Sequence, residues 1–205
     1  MATDMNRDTY IAASTGVLSF FENLTASDST FLQVTTEKNN VLHIAVQFNK
    51  DKVANKIICL CKFLAKKTNS KGNIPLHVAA RVENPQMVRF LINHAEDRDV
   101  ETSVRQLPRM VNLERDTALH IAVKYGNFEV VKELIQEDSE LAMYVNKAGE
   151  SVLFLAVDKQ LYKIASHILS AAPRCSLAGR HGMNVLHALV LQTSSCKCCS
   201  IQSAP

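Results

Sequence analysis

The sequence lacks tryptophan and has only six glycines and five prolines among its 205 residues. No apolar stretch reaches the roughly 18 residues that a membrane-spanning helix needs, so we expect no such helix within it. The start, Met1-Ala2-Thr3-Asp4, has no basic segment followed by an apolar core and predicts no secretory signal. His-Glu-x-x-His strings, glycine-rich phosphate loops and Gly-x-Ser-x-Gly elbows are also missing. We therefore predict no enzymatic activity, no cofactor and no metal site.

The charge balance and the cysteines indicate an ordinary cytoplasmic protein. There are 23 basic and 20 acidic residues, a formal net charge of +3, which is too balanced to indicate nucleic acid as a partner. Six cysteines are present and, without a secretory signal, we predict reduced thiols and a cytoplasmic location. Cys59 and Cys61 lie in an apolar run at 57–61 that predicts a buried helix.

A short phrase recurs along the chain and carries most of the information. Its first clear copy reads Val41-Leu42-His43-Ile44-Ala45. A period near 33 with a Thr-Pro-Leu-His-x-Ala phrase is typical of ankyrin repeats. The predicted fold class is therefore all-α, an ankyrin-repeat α-solenoid of helix-turn-helix units with β-turn fingers. The leucines of the phrase are spaced by 34, 43, 34 and 33 residues, at Leu42, Leu76, Leu119, Leu153 and Leu186.

Six repeats can be placed on this period, the first degenerate and the last incomplete. The longer second step predicts a charged insert at 94–108, of which the segment Asp97–Leu107 is expected to be mobile. The residues after 192 show no apolar periodicity and predict a disordered tail at 193–205. The array is assigned to residues 1–192, with repeats near 6–37, 38–70, 71–112, 113–147, 148–180 and, in part, 181–192.

The histidine of the phrase predicts a structural role. It falls once in each repeat, where a buried ring can join the capping residue of its own helix to backbone groups of the next repeat. Metal binding or catalysis by these rings is the less favoured interpretation. The histidines are His43, His77, His120 and His187. A small residue also recurs at one helical position, where a larger one would hold neighbouring helices apart: Ala45, Ala79, Ala122, Ala156 and Ala188.

Some repeats depart from this pattern. Tyr10 takes the place of the histidine in the first repeat, and Phe154 takes it in the fifth. Thr117 supplies a hydroxyl that can cap the first helix of its repeat and meet the histidine. Asn40 can substitute for such a hydroxyl at the equivalent position, whereas Ile74 cannot.

Three cysteines near the end of the sequence allow three interpretations. Cys196, Cys198 and Cys199 follow a polar stretch, and a frayed tail is the simplest interpretation. A zinc site would need a second pair of ligands, for which only His181 and His187 are candidates. Lipidation of clustered cysteines beside a lysine is the third interpretation, although it normally needs another membrane signal.

Two blocks of the fourth repeat resemble a particular plant family. Residues 109–120 read Arg-Met-Val-Asn-Leu-Glu-Arg-Asp-Thr-Ala-Leu-His, and residues 129–138 read Glu-Val-Val-Lys-Glu-Leu-Ile-Gln-Glu-Asp. Both are similar to plant ankyrin proteins of the accelerated-cell-death type. The resemblance implies a cytosolic ankyrin array joined to C-terminal membrane helices, on the cytosolic face of a membrane, with a role in plant defence and cell death. This chain departs from that pattern because it shows no membrane helices.

A basic residue stands near the tip of each of five predicted fingers. One interpretation is that these cations face an acidic segment of a protein partner, and the other is that exposed turns carry charge in any case. The candidate partner-binding residues are Lys38, Lys71, Arg115, Lys147 and Arg180.

The function predicted from the sequence is protein–protein interaction through an ankyrin scaffold, in plant defence or cell-death signalling. The alternative is a truncated, uncapped fragment of a membrane-anchored ankyrin protein without a function of its own. In either case the last repeat offers Leu186 and its apolar neighbours without a partner helix, which predicts self-association through that end.

Overall fold

A computed structural model describes residues 3–94 and 106–198 of the chain. The chain divides into two compact units, an N-terminal unit that ends at Leu113 and a C-terminal unit that begins at Glu114. Each unit is built from pairs of short helices, and every pair after the first is preceded by a β-turn finger. The predicted fold class, helix-turn-helix units with β-turn fingers, is confirmed.

The N-terminal unit contains three helix pairs. A two-residue strand β1 (Thr3–Asp4) runs parallel to β2 (Gln33–Val34) at the base of the first complete finger. The inner helices α1, α3 and α5 contact one another in sequence, and each of the outer helices α2, α4 and α6 follows its inner helix. The helices are α1 (Arg7–Thr15), α2 (Leu18–Glu22), α3 (Val41–Gln47), α4 (Asp51–Leu60), α5 (Pro75–Arg81) and α6 (Pro85–His94).

The C-terminal unit contains two helix pairs and one further helix. Inner helices α7 and α9 contact each other, outer helices α8 and α10 pack beside them, and the last helix contacts α9. One apolar face of α8 is buried, since Val130, Val131 and Leu134 are inaccessible and Ile135 is only 4% exposed. The helices are α7 (Ala118–Tyr125), α8 (Phe128–Glu137), α9 (Val152–Asp158), α10 (Tyr162–Ala171) and α11 (Val185–Cys198).

Side-chain caps explain why the inner helices begin where they do. The Asn40 side chain accepts a hydrogen bond from the His43 backbone N–H, and Thr117 does the same for His120. These bonds satisfy backbone donors that an α-helix leaves open at its start. The expectation that Asn40 substitutes for a hydroxyl is thus confirmed. Ile74, the cap of α5, has no side-chain acceptor to offer.

Two register assignments made from the sequence are wrong. Asn6 caps α1, so the residue three positions later, where the other repeats have histidine, is Thr9, which is buried. Tyr10 lies one residue after Thr9 and therefore on a different side of α1. It is exposed there, and its ring meets that of Phe48 edge-on. The alanine position falls five residues after the cap. In the last repeat, which Asn184 caps, that residue is Leu189 and not Ala188.

The apolar run around Cys59 is not one buried helix. Helix α4 ends at Leu60, because Cys61 leaves helical geometry with φ −140°, and a 3-10 turn continues over Lys62–Lys66. Cys61 is buried there, but Cys59 is exposed on α4. The turn redirects the chain towards the next finger, which a continuous helix could not do.

The insert and the tail differ from their predicted boundaries. Residues 95–105 lie outside the described residues, so the prediction for most of the insert stays a prediction. Its last residues are ordered, since Leu107–Arg109 form a 3-10 turn and Leu107 is buried. Helix α11 continues to Cys198, six residues past the predicted boundary at 192, because neither glycine nor proline interrupts it there. Cys199 lies outside the described residues.

Among the residues that the structure describes, no helix is both long and apolar enough to cross a membrane.

Candidate functional site

The fingers are the most elaborate polar feature of the chain. Finger 2 (residues 35–40) shows the pattern, in which the Thr35 N–H donates to the Asn39 carbonyl at 2.9 Å and the Lys38 N–H donates to the Thr35 carbonyl at 2.7 Å. The last residue of each finger is the first-helix cap of its repeat. The equivalent segments are finger 3 (69–74), finger 4 (112–117), finger 5 (146–151) and finger 6 (179–184).

A histidine ring ties α3 to the next finger in the N-terminal unit. The Asn40 N–H donates to Nδ1 of His43 at 3.3 Å, so Nδ1 is an acceptor and the proton is on Nε2. Nε2 then donates to the Asn73 carbonyl, 30 residues further on, at 2.8 Å. His43 is fully buried and bonds on both sides of its ring. The bridging role predicted for this histidine is confirmed.

The same link recurs in the C-terminal unit. The Thr117 backbone N–H lies 3.3 Å from Nδ1 of His120, and the Thr117 hydroxyl lies 2.9 Å from it. On the other side of the ring, Nε2 donates to the Glu150 carbonyl at 3.3 Å. His120 therefore joins the cap of its own helix to finger 5.

Both rings are neutral in the folded protein at ordinary pH. Burial lowers the pKa of His43 to about 4, and the hydrogen bond to the Asn73 carbonyl opposes the shift only in part. Burial also lowers the pKa of His120 to about 4, against the opposing charge of Asp116. Because they are buried and bonded on both sides, these rings are structural and cannot serve as accessible proton carriers.

Phe154 replaces the histidine in α9, and the next finger is adapted to it. The Ser151 hydroxyl oxygen accepts the Phe154 N–H at 3.1 Å, so the cap is kept without a ring nitrogen. The phenyl ring packs against Gly179, where a β-carbon would come within 2.3 Å of two ring carbons. Only glycine leaves room for the ring at this position.

A second set of links, which the sequence analysis missed, joins side chains of successive fingers in the N-terminal unit. The Asn69 amide donates to Oδ1 of Asn39 at 2.8 Å, and the Asn112 amide donates to Oδ1 of Asn73 at 2.9 Å. Backbone bonds run beside them, for example from the Leu113 N–H to the Lys71 carbonyl at 3.2 Å. Each finger is thus pinned to the one before it at two points.

In the C-terminal unit the corresponding link is charged. The Asn146 amide donates to Asp116 at 3.2 Å and to Glu150 at 3.0 Å. Asp116 also accepts two hydrogen bonds from the Lys124 ammonium, at 2.6 and 2.8 Å, and its side chain is almost entirely buried. A buried carboxylate needs such partners, because an unpaired charge would be costly there.

The sequence does contain a signal for these links. Asn69, Asn112 and Asn146 each stand five residues before the first-helix cap of their repeat, with the same steps of 43 and 34 residues as the leucines. An asparagine recurring at a repeat period in a predicted turn could have been recognised. Its partner, however, lies one repeat earlier, and no local pattern identifies it.

The five predicted cations do not occupy one register. Lys38 and Arg115 stand two residues before the cap, Lys71 stands three before it, and Lys147 and Arg180 stand four before it. Lys38 and Lys71 are exposed on the N-terminal unit, and Arg115 and Lys147 are exposed on the C-terminal unit. The five cations therefore do not share one position in the finger, although four of the fingers carry an exposed cation.

Arg180 is engaged within the C-terminal unit. Its guanidinium donates to Glu150 at 3.2 Å and to Asp158 at 2.9 Å, and it lies 5.7 Å from the Phe154 ring centroid. The Glu150 side chain is only 10% exposed, so it depends on this pairing. Arg180 therefore serves the fold, and we remove it from the candidate partner-binding residues.

The described side chains support binding more readily than covalent chemistry. No cluster of three or more histidine, cysteine or acidic side chains among them could hold a metal ion. Burial raises the pKa of the Cys61 and Cys175 thiols, which makes both of them poor nucleophiles. What the fingers offer is a set of rigidly held backbone groups and exposed cations.

Comparison with known proteins agrees with this architecture. The family model described as "Ankyrin repeats (3 copies)" matches residues 9–104 and 100–178. The solved structure titled "Crystal structure of the ankyrin repeat domain of Bcl-3: a unique member of the IkappaB protein family" superposes with a TM-score of 0.73 at 20% identity. The match covers 90% of this chain and 80% of that one.

Two curated relatives extend the comparison. The chain is 25% identical over 194 residues to the "B-cell lymphoma 3 protein homolog" of Mus musculus, covering 80% of this chain and 43% of that protein. It is 27% identical over 125 residues to "Protein ACCELERATED CELL DEATH 6" of Arabidopsis thaliana, covering 58% of this chain and 19% of that protein. The chain thus spans less than half the length of the curated relatives it matches.

Proposed function

We propose that this chain, which belongs to the ankyrin-repeat family, is a scaffold for protein–protein interaction that binds acidic partner segments through its fingers. The observation that carries the proposal is the set of exposed cations Lys38, Lys71, Arg115 and Lys147. They stand on fingers that are fixed to their neighbours by the hydrogen bonds described above. Rigid presentation lowers the ordering cost of binding.

The backbone conformation of two of these cations supports the proposal. Lys38 has φ 57° and Arg115 has φ 58°, in the left-handed region that L residues rarely adopt, whereas the same finger position holds Gly72, Gly149 or Gly182 elsewhere. A side chain in this region costs roughly 1 kcal/mol. Strain of this kind concentrates at functional positions.

Acidic segments fit the charge of these fingertips. Glu37, the acidic neighbour of Lys38, accepts a hydrogen bond from the Ser70 hydroxyl at 2.8 Å, so part of its charge is directed to the next finger. Glu37 and Lys38 are both exposed, but only the carboxylate is held by this bond to the next finger. Exposed cations of this kind act on association rate and specificity and give salt-dependent binding.

The experiment compares two variants with the same change in net charge. In the finger variant, Lys38, Lys71, Arg115 and Lys147 are replaced by glutamine. In the control, Lys52, Lys66, Lys159 and Lys163, all exposed outside the fingers, are replaced by glutamine. Binding to a library of acidic peptides is measured at low and physiological salt. We expect the finger variant to lose about tenfold or more in affinity and the control to lose less than about twofold. Equal losses in both variants, or no binding by the unmodified chain, would refute the proposal.

We further propose that the partner belongs to plant defence or cell-death signalling. The support is the resemblance of residues 109–120 and 129–138 to the plant family and the 27% identity to the Arabidopsis protein. On the same support we propose that the chain acts in the cytoplasm, beside a membrane that carries relatives of this family. Transient expression in leaves should accelerate or delay pathogen-induced cell death, and the finger variant should lose the effect. An identical response with the unmodified chain and the finger variant would refute this role and would leave the binding proposal unaffected.

The expectation that the chain is not an enzyme remains a prediction. Purified chain should turn over none of a panel of ester, phosphate and peptide substrates.

A further inference from the structure

A groove beside finger 2 is lined by both apolar and basic side chains. It belongs to the N-terminal unit and is formed mainly by the segment 31–40, which includes finger 2, and by residues 63–68, which follow α4. Its volume of about 660 Å³ lies within the range of roughly 300–1,000 Å³ that is usual for ligand pockets. We define the finger 2 groove by six of its lining residues: Leu32, Thr36, Lys38, Phe63, Lys67 and Thr68.

The apolar part of the groove has a buried floor and exposed walls. Phe31 and Leu64, which also line it, are only 2% and 1% exposed and form the floor. Leu32 and Phe63 are 50% and 45% exposed. Two large apolar side chains that remain half in water inside one concavity gain from contact with an apolar side chain of a partner, because that contact removes their surface from water.

The exposed ring of Phe63 is a particular feature of this repeat. Phe63 stands eleven residues before the first-helix cap and one residue before the buried Leu64. In the next two repeats the residues at the same distance from the cap are Gln106 and Glu140, and both are exposed. The 3-10 turn therefore forms equally with a polar residue at this position, and the phenyl ring is available for contact with a partner.

The polar part of the groove has an excess of positive charge. Lys38 and Lys67 are both exposed, and within the described part of the chain neither ammonium group has an ion-pair partner. Among the described residues that line the groove, Asp4 is the only acidic one. Lys38 is also the fingertip cation with φ 57°, so the strained position and the groove coincide. A carboxylate in the groove would therefore meet two cations against one acidic side chain.

The combination of these groups selects the occupant. A purely apolar segment would cover the two lysines without giving them a carboxylate, and covering a charge without a partner is unfavourable. A purely acidic segment would leave Leu32 and Phe63 in water. Thr36 and Thr68 are exposed and add hydroxyl groups, which can donate to a backbone carbonyl or accept from a backbone N–H. A peptide that carries both a carboxylate and a large apolar side chain meets all three requirements.

We propose that the acidic partner segment bound at finger 2 carries a leucine or phenylalanine beside its carboxylate, and that the finger 2 groove buries this side chain. The proposal rests on the binding of acidic segments by the fingers, and it adds the feature that distinguishes one acidic segment from another. Lys38 contributes to both kinds of contact. Leu32 and Phe63 lie outside the fingers, so the apolar contact can be removed while all the finger cations are kept.

The test measures the affinity of the purified chain for three pools of short peptides. The first pool combines glutamate and aspartate with leucine and phenylalanine. The second pool has serine in place of the apolar residues, and the third has glutamine and asparagine in place of the acidic ones. We expect the tightest binders of the first pool to have about tenfold or more higher affinity than those of either other pool.

A double variant of the groove walls isolates the apolar contact. Leu32→Ser/Phe63→Ser should lower the affinity for the first pool about tenfold, to that of the second pool, and should change the affinity for the second pool less than about twofold. The matched control is Ile11→Ser/Val17→Ser. It alters two apolar side chains of the same unit that are 41% and 46% exposed outside the groove, and it should lose less than about twofold.

A pair of lysine variants isolates the charge contact. Lys67 lines the groove but is not one of the finger cations, whereas its neighbour Lys66 is exposed outside the groove. Lys67→Gln should lower the affinity for the first pool about threefold, and Lys66→Gln should leave it nearly unchanged. Equal effects of the two substitutions would contradict the placement of the carboxylate.

The three pools separate failure of this proposal from failure of finger binding. Equal affinities for the first and second pools overturn the groove contact and leave acidic-segment binding intact. Equal affinities for the first and third pools also overturn it, because the groove would then accept any apolar segment, a second copy of the chain included. No binding to either acidic pool refutes finger binding itself, and the groove proposal fails with it.

Hydrogen exchange decides if circular dichroism shows that the double variant has lost helix content. The tightest peptide of the first pool is added to the unmodified chain. Amides within 31–40 and 63–68 must then exchange more slowly, and by more than with the tightest peptide of the second pool. Equal exchange with the two peptides refutes burial of the apolar side chain in the groove.

Discussion

The Phe154 ring occupies the space into which a β-carbon on Gly179 would project, at 2.3 Å from two ring carbons. Gly179 has φ −134°, an extended conformation that any residue adopts, so its lack of a side chain is required by the ring and not by the backbone. Gly179→Ala should therefore lower the free energy of unfolding of the C-terminal unit by about 1–3 kcal/mol, as overpacking does.

Urea denaturation of the C-terminal unit measures this loss. The control is Gly182→Ala, where φ is +74° and nothing lies within 4 Å of the added carbon, so that its cost is conformational alone. Combining Gly179→Ala with Phe154→Leu should recover part of the loss. Additive losses in the double variant would mean that the ring and the glycine do not depend on each other.

The buried histidines should make the protein sensitive to mild acid. Their folded-state pKa is about 4, against an ordinary 6.5, so the unfolded chain binds more protons between these values. Titration of these rings should leave the free energy of unfolding constant above about pH 6.5 and should lower it as the pH drops towards 4, by about 3 kcal/mol for each ring.

Denaturation curves at several pH values check this. His43→Gln should be less stable at pH 7 but should show a shallower fall between pH 6.5 and 4, because one titrating group is gone. A slope unaffected by His43→Gln would contradict the assignment.

Removal of the Lys124 ammonium should destabilise the fold, because the buried Asp116 carboxylate then loses its charged partner. Lys124→Met leaves a nearly inaccessible charge with fewer hydrogen bonds and should lower the free energy of unfolding by about 2 kcal/mol. Lys132→Met breaks a solvent-exposed pair with Glu129 and should cost less than about 1 kcal/mol. Equal effects of the two substitutions, measured by thermal unfolding, would show that Asp116 finds other partners.

The repeated leucines should be central to stability. Leu76→Ala in the N-terminal unit and Leu119→Ala in the C-terminal unit should each cost about 2–5 kcal/mol, because both side chains are fully buried. Leu177→Ala, at a half-exposed leucine, should cost about 0.5 kcal/mol or less. A melting temperature that Leu76→Ala leaves unchanged would show that the repeat register is wrong.

Glycine substitutions at the strained fingertips should affect stability and binding in opposite directions. Lys38→Gly and Arg115→Gly each relieve a left-handed backbone and should raise the free energy of unfolding, by at most about 1 kcal/mol, since glycine also loosens the unfolded chain. The same substitutions should weaken binding to acidic peptides. Lys147→Gly should weaken binding without the gain in stability, since Lys147 is not among the residues with positive φ.

The helices were predictable because their signals are local. The leucine period and the caps at Asn40 and Thr117 identify where the inner helices begin. The register of α1 was misjudged because a sequence match places Tyr10 by resemblance, whereas Asn6 fixes the helix start by a hydrogen bond. The last alanine position was misjudged for the same reason, since it must be counted from the cap at Asn184.

The links between fingers could not be predicted in the same way. The Asn69–Asn39 bond joins residues 30 apart, and which side chain meets which depends on how successive repeats stack. The ion pairs of Arg180 could not be predicted either, because its partners Glu150 and Asp158 lie in the finger and the inner helix of the preceding repeat. From the sequence alone, a charged residue at a fingertip that faces solvent cannot be distinguished from one that pairs with a neighbouring repeat.

The bond between Asn112 and Asn73 closes a loop of 39 residues, whereas that between Asn69 and Asn39 closes one of 30. The entropy of closing a flexible loop grows only with the logarithm of its length, so the longer connection costs only about 0.2 kcal/mol more. The segment between these two repeats can therefore lengthen or shorten without loosening the fingers on either side. The length of the chain between the two bonded asparagines is therefore a weak determinant of how firmly these fingers are joined.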